Sequence, residues 1–129
     1  MSTQKTCLLA AFAAVVVAGF PLAPAHAQTA STVKPAIYMS EFELTDAEGI
    51  KPYSAAVDAT FAPFGGRYIV RGGKSTPLEG QPTQRMVMIE FPSMEQAQAW
   101  YDSPAYRAIR PIRHKSAVSR VFIVEGVAR

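Results

Sequence analysis

Three observations in the sequence predict an α+β domain with the element order β-α-β-β-α-β. Four segments are rich in β-branched residues, aromatics and methionine, and are bounded by glycine- and proline-containing breaks. Two stretches between them repeat apolar residues every three or four positions, the spacing of one helix face. Those stretches fall between the first and second strands and between the third and fourth, so each connects a pair of strands.

The first 27 of the 129 residues are read apart from this fold. Lys5 precedes an uninterrupted apolar run from Cys7 to Phe20, and Ala25-His26-Ala27 comes after it with the small-residue spacing of a signal-peptidase site. The run is too short to span a membrane. Residues 1–27 are therefore expected to be a secretory leader, which gives an exported, periplasmic or secreted protein with no membrane anchor after cleavage. Removing 27 residues leaves 102, enough for one domain held by its own core. That part has neither cysteine nor, beyond His114, histidine. Disulfides, thiol chemistry and the usual zinc sites are excluded on composition, and no metal or cofactor is expected. The excess of 13 basic over 10 acidic residues is too slight and too scattered for nucleic-acid binding.

Residues 28–35 read as a flexible lead-in, and the folded domain as 36–129. The first strand is "AIYMSEFEL"; Thr45 or Asp46 is placed to cap the first helix. Ile50, Tyr53, Val57, Phe61 and Phe64 form one stripe of that helix, which Pro63 and Gly65-Gly66 end. "RYIVRGG" is the second strand, with Gly72-Gly73 suited to a bulge. "QRMVMIEF" is the third. Ser93 and Gln96 have the spacing of a capping box, and Met94, Ala97, Trp100 and Tyr101 form the inward stripe of the next helix. Ser103-Pro104 restarts a short helix, because proline suits its first position. "SRVFIVEG" is the last strand.

This order is the split βαβ arrangement of a ferredoxin-like fold: a four-stranded antiparallel sheet with helices on one face. A sheet solvated on its other face should alternate. Here Met86 and Met88 oppose Val87 and Ile89, while Phe122 and Val124 oppose Val121 and Ile123, so both faces are apolar. A second copy of the same sheet is the expected cover, giving a homodimer.

"GGRYIVRGGKSTPLEG" and "RMVMIEFPSMEQAQAWYDSPAYRAIRPIRHKSAVSRVFIVEG", with "YSAAV" upstream, resemble the DUF1330 family over about Ile37 to Gly126. The resemblance implies the dimeric α/β-barrel form of the ferredoxin-like fold. It implies no residue roles that could be carried onto Arg71, Tyr101 or any other position.

Candidate site residues come from the residues themselves. Tyr106, Ile109 and Arg113 share one helix face and are expected to line a cleft floored by Ile109, with Arg71 and Tyr38 turned toward it. A guanidinium fork suits a carboxylate or phosphate. Tyr101, Arg110 and His114 extend the set, although cations in a last helical turn, Lys115 included, also serve simply to meet free carbonyls. Trp100 and Tyr101 could equally be core. Glu90, beside Met86 and Met88, is a candidate general base, or else half of a salt bridge across the sheet. The functions expected are binding of a small organic anion in an aromatic and arginine cleft or, alternatively, a cofactor-independent oxygenase or isomerase acting on a small aromatic or unsaturated acid.

Overall fold

The computed structural model describes residues 33–81 and 85–128; the leader read in residues 1–27 lies outside them. Strand β1 spans Ala36–Leu44, helix α1 Lys51–Phe61 with a 3-10 turn at Ala62–Phe64, β2 Arg67–Arg71 and β3 Arg85–Phe91. Helices α2 (Met94–Tyr101) and α3 (Pro104–Ser116) come next, and β4 runs from Ala117 to Glu125. The sheet order is β2-β3-β1-β4, with every neighbouring pair antiparallel.

Cross-strand register sorts the side chains. Tyr38, Ile89 and Ile123 lie in one row and Ser40, Val87 and Val121 in the next, all toward the helices. Met39, Met88 and Phe122 form the matching row on the other face, where no helix lies among the described residues. Phe122 and Val124 are exposed there, as the unbroken apolar pattern of the strands foreshadows.

Trp100 is the centre of the helix-side core. It is fully buried, stacks on Phe91 at 5.1 Å and meets Tyr38 edge-on at 4.9 Å. Its Nε1 donates to Thr60 Oγ1 at 3.0 Å, so the one polar atom of the ring is satisfied. Val57 and Phe61 of the α1 stripe complete this layer.

Three local expectations are corrected. Asp46 accepts from the N–H groups of Glu48 and Gly49 and so caps the turn before α1, whose first residue comes after Ile50. The irregularity in β2 lies between Tyr68 and Val70; Gly72, at φ 61°, lies just past the strand and closes it. Helix α3, expected to be short, runs 13 residues through Pro111, because Pro111 and the Arg107 one turn before it are both on the exposed side. At residues 34 and 35 the chain meets the end of β4, where Gly126 N–H donates to the Pro35 carbonyl and Lys34 pairs with Glu125. The starts of α2 and α3 form as expected: Ser93 Oγ accepts from Gln96 N–H and Ser103 Oγ from Tyr106 N–H, with Pro104 opening α3.

Candidate functional site

The extra length of α3 decides where its cations go. A helix ending at Pro111 would leave Arg113 in a solvated tail; carried to Ser116, it turns Arg113 inward, and the residue is only 4% exposed. Its Nη1 donates to Ser119 Oγ on β4 and its Nη2 lies 3.2 Å from His114 Nε2. The Nε has no partner, and no carboxylate meets the group among the described residues. Burial opposes its charge; Tyr38, Tyr106 and Tyr53 work the other way only where they ionise, and the net effect holds its pKa above the ordinary arginine value, so it is charged throughout the physiological range while its tyrosine neighbours are neutral. It is a buried positive charge without a counter-ion among the described residues, an arrangement that costs several kcal/mol (order of magnitude) when left uncompensated.

Beside it runs a row of hydroxyls. Tyr106 Oη lies 3.4 Å from Tyr38 Oη and 3.2 Å from Tyr53 Oη, joining α3 to β1 and α1. Burial raises the pKa of all three, so they are neutral hydroxyls at physiological pH and can donate. Ser40, two residues along β1 from Tyr38 on the same face, is buried with its Oγ unpartnered.

These groups border a cavity of ≈80 Å³ between α1 and the sheet, lined by Tyr38, Ser40, Tyr53 and Arg113. Apolar side chains, among them Phe42, Ile50, Val57 and Val87, form the rest of its wall. Toward β2 it is bounded by Tyr68, Arg71 and Arg85. There Asp58 of α1 accepts from Tyr68 Oη at 2.8 Å and from Arg71 at 3.2 Å, while Arg71 lies over the Tyr68 ring. Burial and the Asp58 bond raise the Tyr68 pKa.

Of the residues singled out in the sequence, Tyr38, Arg71 and Arg113 line this one cavity and Tyr106 is hydrogen-bonded behind it. Ile109 packs against the core instead of flooring the cavity. Tyr101 and Arg110 stack on each other at 4.8 Å away from it. Tyr101 and His114 border a second, more open depression along β4, and Arg113 is the wall between the two. Glu90 is on the opposite face of the sheet and pairs with Arg67 at 2.7 Å, the cross-sheet salt bridge that was its alternative reading. Trp100 is core. Tyr53, Ser40 and Arg85 carry no site signal in the sequence pattern that marks the others. Ser40 could have been found by counting two from Tyr38, whereas Tyr53 was absorbed into the apolar stripe of α1.

The family model described as "Domain of unknown function (DUF1330)" matches residues 35–127. The chain belongs to the DUF1330 family. No curated protein matches significantly. Among solved structures, a protein of unknown function from Rhodopseudomonas palustris is 20% identical with TM-score 0.61, covering 74% of this chain and 85% of that one. A dimeric, ferredoxin-like protein of unknown function from Bacteroides fragilis is 15% identical with TM-score 0.50, covering 70% and 95%. SnoaB, a cofactor-independent oxygenase from Streptomyces nogalater, is 13% identical with TM-score 0.51, covering 75% and 95%. At these identities the likeness is one of fold, and the DUF1330 chain is α+β and ferredoxin-like.

Proposed function

We propose that this is an exported homodimeric domain that binds a small organic anion in the cavity between α1 and the sheet. The observation that carries the reading is Arg113, which lines the cavity buried and charged, with its Nε unpartnered and no carboxylate meeting it among the described residues. An anion there would supply both the missing charge and the missing acceptor. The apolar wall favours an organic acid over inorganic phosphate. Binding is favoured over proton abstraction because neither carboxylate nor imidazole lines the cavity among the described residues, and its tyrosines are too weakly acidic to act as bases near neutral pH. Export rests on the leader pattern in residues 1–27, and the dimer on the apolar outer sheet face together with a dimeric neighbour of the same fold.

Calorimetric titration of the protein with propionate, hexanoate, benzoate and inorganic phosphate tests the reading. The organic acids should bind, with Arg113→Lys losing about 1.5–3 kcal/mol of affinity because lysine cannot make the planar two-pronged contact. Absence of binding by every acid, or equal binding by Arg113→Lys and wild type, would overturn it.

A further inference from the structure

A second arginine shares the cavity with Arg113 and has no carboxylate of its own. Arg85, at the start of β3, also lines it, and is absent from every ion pair among the described residues. Its neighbour at the β2 end, Arg71, differs, being matched by Asp58. Arg85 lies directly opposite Phe42, and Phe42 lies directly opposite Ser119, the residue that holds the Arg113 guanidinium. One cross-strand row therefore carries an unmatched arginine over β3, an aromatic ring over β1 and, above β4, the second unmatched arginine. The two strands that position them, β3 and β4, are two strand spacings, about 10 Å, apart, which sets the scale of their separation. The Arg85 guanidinium lies toward the Phe42 ring, with its carbon 5.8 Å from the ring centre. Phe42 lies between the ends, and Leu44, Ile50, Val57 and Val87 add apolar surface to the same cavity.

From this we infer that the ligand is a linear dicarboxylate, one carboxylate held at Arg113 and the other at Arg85, with its hydrocarbon spacer across Phe42. The inference rests on the anion reading of the Arg113 cavity and adds to it the second charge and the length. A single carboxylate would leave one of the two cations unmatched and the apolar floor only partly covered. A dicarboxylate too short would reach one end only, and one too long would have to fold its spacer. Affinity should therefore pass through a maximum with chain length. Arg113 is buried and sets the deep end; Arg85 is exposed and meets the second carboxylate at the mouth.

The test is calorimetric titration with the series succinate, glutarate, adipate, pimelate and suberate, each beside its monomethyl ester, on wild type, Arg85→Gln and Arg107→Gln. Arg107 pairs with Asp102 on the outer side of α3, so its replacement removes the same charge away from the cavity. Wild type should prefer one diacid of the series over its own monoester by about five- to tenfold, the scale of a charge-assisted contact discounted for an exposed partner. Arg85→Gln should abolish the preference and Arg107→Gln keep it. Monoesters binding as tightly as the diacids, or the preference lost equally in both variants, would overturn the dicarboxylate inference and leave the anion site standing. No binding by any acid of either kind would overturn the anion site itself.

Discussion

Replacing Arg113 by methionine should make the protein more stable while abolishing anion binding. The side chain has two polar contacts, to Ser119 Oγ and His114 Nε2, against one unpartnered Nε and a buried charge with no carboxylate among the described residues. Hydrogen bonds to a charged group contribute about 1.5–3 kcal/mol each at most, and an unsatisfied buried donor costs about 1–3 kcal/mol. Burying an unpaired charge costs several kcal/mol more. The balance favours methionine, whose flexible thioether can fill the space left by the arginine stem, by about 1–3 kcal/mol. For a domain of this size each kcal/mol moves Tm by about 4–8 °C, so a rise of roughly 5–15 °C is expected. Scanning calorimetry and urea unfolding, at one protein concentration so that association does not shift the midpoint, measure it. A Tm lowered by more than about 5 °C would show that the guanidinium holds the fold together, and the reason for seeking its counter-ion would be gone.

Thr60→Val should destabilise by about 1–3 kcal/mol, because it leaves the fully buried Trp100 N–H without an acceptor, whereas Thr60→Ser should not; urea unfolding separates them. Met39→Glu places a charge in the middle of the open apolar row with Met88 and Phe122, and sedimentation should show the proposed dimer giving way to a folded monomer; an unchanged mass with an intact fold would refute sheet-to-sheet pairing. Burial, then the Arg113 and Arg110 charges, depress the His114 pKa, so the unfolded chain takes up a proton there more readily than the folded one. Stability should therefore be full above the unfolded value of about 6.5 and fall as the pH drops toward the lower folded value, and His114→Asn should flatten that slope in denaturant titrations.

The sheet and both capped helices were legible because each depends on short-range spacing: Ser93 with Gln96, Ser103 with Pro104, and alternate positions along β1 and β3. The two apolar sheet faces were legible for the same reason. The length of α3 was not, since a proline inside a helix is tolerated only when its own side faces water, and that depends on how the helix packs. The site divides in the same way. Tyr106 and Arg113 fall on one face by counting, and Arg71 and Tyr38 join them. Burial of Arg113 without a carboxylate, and the alignment of Ser119, Phe42 and Arg85 in one row, arise from strand order and register, which join residues far apart in the chain. Glu90 shows the limit from the other side. Its strand face was read correctly, but whether it stood alone depended on Arg67 being opposite it in the β2–β3 register.

The three tyrosine hydroxyls behind the cavity contain three protons and make two bonds among themselves. Tyr106 is in the middle and fully buried, so its hydroxyl donates to one neighbour and accepts from the other. One proton is always left over, and it must leave the row at Tyr38 or at Tyr53, both of which face the cavity. The row thus has a direction, and the direction can reverse through three concerted hydroxyl rotations with no side chain moving. An acceptor arriving next to Tyr38 would set it one way, and an acceptor next to Tyr53 the other. The wall of the cavity can in this way match either placement of an incoming oxygen without rebuilding the core around Trp100.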